Sequence, residues 1–187
     1  MNAWPDEVQR VAAFLRETGA EARIEEFEVE TATAADAARA VGADVSEIVK
    51  SLIVLCDERA VLALVPGDRR ADMAKIAGAA GATKARIAHA REVPVLTGFA
   101  PGAVAPFPMR AVERAFIERV LLAEDELWVG AGSTRHMAVL PTRELVRLTR
   151  ASPADLILAD WTLKYHSPLS RGPKGEPVTC RPRRRSG

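Results

Sequence analysis

Three stretches of this 187-residue chain combine residue types that could do chemistry. The first is Lys50, heading Lys50-Ser-Leu-Ile-Val-Leu55. In an extended strand Leu52 and Val54 face one way and Ile53 and Leu55 the other, so the strand is apolar on both faces and reads as buried. A lysine at the mouth of such a strand can project into a cavity and hold an anionic or carbonyl oxygen. The alternative is an ordinary lysine whose ammonium snorkels to water. The second stretch is Thr97-Gly-Phe-Ala-Pro-Gly-Ala-Val-Ala-Pro-Phe107. Its two glycines and two prolines preset a rigid turn, whose main-chain N–H groups could bind an oxyanion or a hydroxyl, or which simply connects two elements. The third is Val129-Gly-Ala-Gly-Ser-Thr-Arg-His136. Small residues after a strand let a ligand or another chain approach closely, and Ser133, Thr134 and His136 could supply hydrogen bonds there. Taken alone, His136 reads more readily as a satisfied structural residue than as a base.

Other signatures are missing. There is no Gly-x-Ser-x-Gly elbow and no Walker loop, and Gly130-Ala-Gly132 lacks the third glycine of a dinucleotide fingerprint. His89, His136, His166, Cys56 and Cys180 lie far apart without ligand spacing, so neither a metal nor another cofactor is expected.

The elements that must position these residues follow from local patterns. Val8, Val11, Ala12 and Leu15 keep helical spacing ahead of Gly19 and predict a helix over 6–18. Residues 22–28 fit a short edge strand, and Thr33 with Asp36 marks a capped helix that Gly42 ends. Residues 46–49 suggest one helical turn. The runs 51–56 and 60–65, closed by Pro66-Gly67, form a hairpin signal. A helix begins at Met73 and stops at Gly81, and residues 87–92 form a weaker helical segment. The proline-rich stretch 93–108 reads as a structured loop. Strands are expected at 111–112, 116–121, 126–129 and 137–140, and a helix from Thr142. Ser152-Pro-Ala-Asp155 reads as a second helix start, with Ser as cap and Pro at the first position. Short strands with helices inserted irregularly predict a mixed α/β (α+β) fold, a barrel-like mixed sheet surrounded by short helices.

Composition sets the frame. Apolar residues are 48% and charged residues 27%, the balance of a single globular domain and not of a disordered chain. Two cysteines make no disulfide framework, which fits a reduced, cytoplasmic setting. The longest apolar run, 52–56, is too short to span a bilayer, and the N-terminus lacks the pattern of a signal peptide, so a membrane is not an expected partner. Residues 170–187 carry six basic residues and one acid, a net +5, which leaves 20 basic and 24 acidic residues in the rest of the chain. The expected division is a domain over 1–158 and a basic tail over 159–187. A basic tail on an acidic body suits a polyanionic partner, or a merely solvated extension.

Taken in order, the three stretches resemble the YbaK/prolyl-tRNA-editing family of aminoacyl-tRNA deacylases. The matching pieces are Lys50-Ser-Leu-Ile-Val, Gly98-Phe-Ala-Pro-Gly102, Gly130-Ala-Gly-Ser133, Leu140-Pro-Thr-Arg-Glu-Leu-Val-Arg-Leu-Thr149 and Thr33-Ala-Ala-Asp-Ala-Ala-Arg-Ala-Val-Gly42. Ala103 stands where many members carry a second glycine. The resemblance implies hydrolysis of the ester that joins a wrong amino acid to the 3′ end of a tRNA. It implies Lys50 as the essential lysine, with Gly98, Pro101, Gly102, Gly132, Ser133 and His136 binding substrate. A cysteinyl-tRNA(Pro) specificity and a non-catalytic tRNA-binding module are the alternatives. Mischarged tRNA is the implied partner, with an aminoacyl-tRNA synthetase as a further one and DNA as none. Arg181, Arg183, Arg184 and Arg185 are the candidate tRNA contacts of the tail.

Overall fold

The computed structural model describes residues 4–159. Helix α1 spans Asp6–Glu17 and buries Val8, Val11 and Leu15, the stripe its spacing predicts. Strand β1 is Arg23–Glu26, and helix α2 is Ala34–Val41, where the Thr33 hydroxyl accepts from the Asp36 N–H. A 3-10 turn over Val45–Glu47 carries a capping box between Asp44 and Glu47 and leads into β2, Val49–Cys56. β3, Arg59–Pro66, returns through a two-residue turn, with Asp57 and Glu58 both at positive φ as a tight hairpin requires.

Helix α3, Met73–Ala80, is capped by Asp72, which accepts from two of its first N–H groups. Next come β4 (Ala85–Ile87), α4 (Val93–Thr97) and β5 (Arg114–Glu118). A 3-10 segment, Arg119–Ala123, precedes β6 (Glu126–Ser133) and β7 (His136–Pro141). Helix α5, Thr142–Thr149, and strand β8, Ser152–Ala154, complete the described chain.

The strands form two sheets. One is antiparallel, in the order β1-β7-β6; the other is mixed, in the order β4-β2-β3-β5-β8, with parallel pairing at β3–β5 and β5–β8. A parallel bridge between Ile48 and Trp128 links the sheets, but they do not close into the barrel expected from the sequence. The mixed α/β class is as expected. The central strands are buried on both faces. Ile53, Leu62, Leu64 and Ile117 pack with α1 and the antiparallel sheet, whereas Val54, Val61, Ala63, Val65 and Phe116 pack with Ile76 of α3.

Several local expectations change. The helical segment expected over 87–92 is absent: residues 85–87 are a strand, because they pair antiparallel with 54–56 at the edge of β2, and 88–92 form a loop and turn. The loop 93–108 opens with a one-turn helix. Ser152-Pro-Ala154 is a strand, because Phe116–Glu118 offers it a parallel partner. Pro153 is tolerated there because an edge strand can spare an N–H. The buried Glu118 carboxylate then accepts from the Leu156 N–H at 2.6 Å and holds the chain just beyond that edge. Residues 111–112 are not a strand.

Candidate active site

Where the start of β2 meets the first turn of α2 lies a cavity of about 540 Å³. Its wall is made largely of small residues, and Lys50, Ser51, Gly102, Ser133 and Met137 contribute to it. Lys50 sits there because β2 begins two residues after the 3-10 turn, which places the first side chains of the strand at its open end. The Lys50 ammonium donates to the carbonyl oxygen of Arg69, in the segment that follows β3. Partial burial lowers its pKa from the ordinary lysine value, and the nearby Asp68 carboxylate opposes that shift. An ammonium has three donors, so one fixed bond leaves capacity for a substrate oxygen. Ser51 adds a hydroxyl whose oxygen is buried and has no hydrogen-bond partner.

The proline-rich loop reaches the cavity at its far end. Phe99, Ala103, Ala105 and Phe107 are buried and anchor it, and the Ala103 N–H is spent in a turn to the Ala100 carbonyl. Gly102, at φ +81, lines the cavity, with nothing but the Ala32 methyl near the place a Cβ would take. Gly98 and Pro101 do not line it; Gly98 instead accepts a hydrogen bond from Arg10 at 2.7 Å.

The strand-end glycines divide in the same way. Gly130 lies against the Val104 carbonyl, and a Cβ there would sit 2.8 Å from that oxygen. Gly132 faces α1 instead, with the Glu7 main chain 2.9 Å from the position of a Cβ. Ser133 is at the cavity, and its hydroxyl is shared between His136 Nδ1 at 2.7 Å and the Arg135 N–H at 3.1 Å. The His136 ring is 3% exposed, lies edge-on to Trp4 and does not line the cavity. Its Nε2 has no hydrogen-bond partner; Glu26 Oε2, at 3.8 Å, becomes an ion pair if the ring is protonated. Desolvation lowers the His136 pKa, Glu26 opposing and Arg135 adding to the shift.

Of the seven candidate residues in the domain, the fold therefore gathers Lys50, Gly102 and Ser133 at one cavity, while Gly98, Pro101, Gly132 and His136 lie outside its wall. Arg181, Arg183, Arg184 and Arg185 lie outside the described residues. Sequence reasoning missed Ser51, Met137 and Gly67. The signal for Gly67 was its place directly after β3, where a Cβ would come within 2.5 Å of the Val45 carbonyl. Among the described residues, no group of three or more His, Cys, Asp or Glu side chains could hold a metal ion, and no helix is long and apolar enough to cross a membrane. A cationic donor in a wall of small residues can hold an oxyanion and seat a small acyl group.

Residues 28–148 match the aminoacyl-tRNA editing domain. A solved structure of a candidate trans-editing enzyme for prolyl-tRNA synthetase is 35% identical, with a TM-score of 0.79 over 84% of this chain and 100% of that one. A chain from work on grafting epitopes onto scaffold proteins is 34% identical, with a TM-score of 0.77 over 83% and 99%. A hypothetical protein is 32% identical, with a TM-score of 0.75 over 80% and 99%. No curated protein matches the chain. Lys50, Gly102, Ser133 and the cavity they line all fall within the matched residues, and the chain belongs to the aminoacyl-tRNA editing domain family.

Proposed function

We propose that this protein is a trans-acting aminoacyl-tRNA deacylase that hydrolyses the ester of a mischarged tRNA. The observation that carries this reading is Lys50, a half-buried ammonium held by the Arg69 carbonyl in a cavity of small residues. An aminoacyl ester is already reactive, so the site need only orient it and stabilise the charge that develops on its carbonyl oxygen. Water attacks the carbonyl carbon, assisted by the free hydroxyl of the terminal ribose, and Lys50 holds the oxyanion. The tetrahedral intermediate then expels the ribose oxygen, which takes up the proton, and the amino acid and free tRNA leave.

Gly102 gives the acyl-adenosine end close access to the loop backbone. Ser133 presents its hydroxyl at the wall, and His136 acts as a positioning residue by holding that hydroxyl from behind. The small-residue wall sorts amino acids by size, a discrimination worth about 1–3 kcal/mol per methylene. Likeness to a candidate trans-editing enzyme for prolyl-tRNA synthetase supports tRNA(Pro) as the tRNA. For a cysteinyl ester, the substrate's own thiol could replace water as nucleophile. Deacylation assays over a panel of tRNA(Pro) species charged with alanine, serine, cysteine and proline test the proposal. Absence of turnover on every member would defeat it.

A further inference from the structure

Two guanidinium groups converge on Gly98, outside the cavity. Arg10 of α1 donates from Nη2 to the Gly98 carbonyl at 2.7 Å, and its guanidinium carbon lies 4.4 Å from the centre of the Phe99 ring. Its Nε is buried and has no partner. Arg110, exposed beyond the proline-rich loop, brings its Nε within 2.8 Å of the point a Cβ on Gly98 would occupy; both terminal nitrogens of Arg10 lie 3.1 Å from that point. The two cations thus stand within about 6 Å of each other, where like charges repel. Among the described residues neither has a carboxylate partner, whereas Arg86, Arg143 and Arg147 each meet one.

An uncompensated pair of guanidiniums, one braced by an aromatic ring and a carbonyl, is the donor arrangement that takes a phosphate. We infer that Arg10 and Arg110 form a binding site for a backbone phosphodiester in the 3′ strand of tRNA. The inference rests on the deacylase reading for its ligand, because Gly102 lies only four positions after Gly98, at most about 14 Å of chain. A strand whose aminoacylated end enters the cavity at Gly102 runs past Gly98. Glycine at 98 is what lets both guanidiniums close over the loop, since a side chain there would occupy their position.

The test is equilibrium binding of uncharged tRNA to the full-length protein at two salt concentrations, for wild type, Arg110→Gln and Arg10→Lys. Arg110 makes no contact that the fold needs, so Arg110→Gln melts as wild type does. It should bind tRNA roughly 5–20-fold more weakly, with a salt slope shallower by about 0.7, the value of one lost phosphate contact on a single strand. Arg10→Lys keeps the charge but loses the fork, and falls between the two. Wild-type affinity and slope in Arg110→Gln overturn the inference, as does a wild type that binds no tRNA. A titration with inorganic phosphate at matched ionic strength separates the two anion sources. Phosphate binding lost in Arg110→Gln while tRNA affinity stays unchanged makes the site one for a free anion and overturns the tRNA assignment. Because uncharged tRNA needs no turnover, a protein that binds through Arg110 yet deacylates nothing sinks the deacylase reading and leaves the phosphate site standing.

Discussion

The Lys50 ammonium and the Arg69 carbonyl oxygen are hydrogen-bonded, which ties the start of β2 to the segment between β3 and α3. The bond aims a flexible four-carbon side chain, and the adjacent Asp68 carboxylate favours its charged form against the cost of burial. A group fixed before substrate arrives need not be reorganised in the transition state, and the predictions for this site follow from that preorganisation.

Replacing Lys50 with alanine should lower the deacylation rate about 10²–10³-fold, the usual size for losing one preorganised oxyanion donor. The melting temperature should move little, because half-burial and one main-chain hydrogen bond are all the fold loses. Single-turnover deacylation and a thermal melt check both halves; a variant with wild-type turnover removes Lys50 from the chemistry.

Activity should decline on the alkaline side as Lys50 loses its proton. Since burial lowers its pKa, the midpoint should fall below the ordinary lysine value of 10.5. The background-corrected pH–rate profile measures it, and a limb no lower than 10.5 contradicts the desolvation argument.

Gly102 and Gly132 should respond differently to a side chain. Gly132→Ala puts a Cβ 2.9 Å from the Glu7 main chain at φ +101, and should cost about 2–4 kcal/mol of stability. At Gly102 a Cβ meets no backbone, so the cost of Gly102→Val should be nearer the 1–2 kcal/mol of left-handed strain, while deacylation falls because the new side chain stands at the cavity. Chemical denaturation alongside kcat/KM separates the two effects.

His136 should make stability depend on pH. Its folded pKa lies below the ordinary 6.5, so the unfolded chain takes up a proton first as the solution is acidified. Stability should therefore fall as pH drops below about 6.5 and level off beneath the lowered folded pKa. Denaturation midpoints between pH 7.5 and 4.5 should show this component in wild type and not in His136→Gln.

Truncation after residue 159 should weaken tRNA binding and flatten its salt dependence, because it removes Arg181, Arg183, Arg184 and Arg185. Phosphate contacts carry no amino-acid information, so the preferred substrate and the rate at saturating tRNA should stay the same. Steady-state kinetics at two salt concentrations decide whether the tail is a binding element.

What the amino-acid order determined by itself is what local physics records. The stripe Val8, Val11, Leu15 specified α1, Thr33 and Asp36 specified the start of α2, and the doubly apolar runs around Asp57-Glu58 specified the buried hairpin. Lys50 was legible because a lone cation at the head of an apolar strand breaks that pattern.

Only the tertiary structure decided what depends on partners distant in sequence. Residues 85–87 and 152–154 are strands because 54–56 and 116–118 pair with them, and neither segment has enough periodicity to show this alone. Ser133 and His136 are three residues apart, yet the chain reversal between β6 and β7 leaves the hydroxyl at the cavity and draws the imidazole inward against Trp4. Gly130 and Gly132 look alike in sequence, but one lies under the Val104 carbonyl and the other under α1. Arg10 and Arg110, a hundred residues apart, meet over Gly98 only once α1 has packed on the loop. Side-chain spacing reports the face of one element; which group approaches that face is set by packing between elements, and that is not written in any local run of residues.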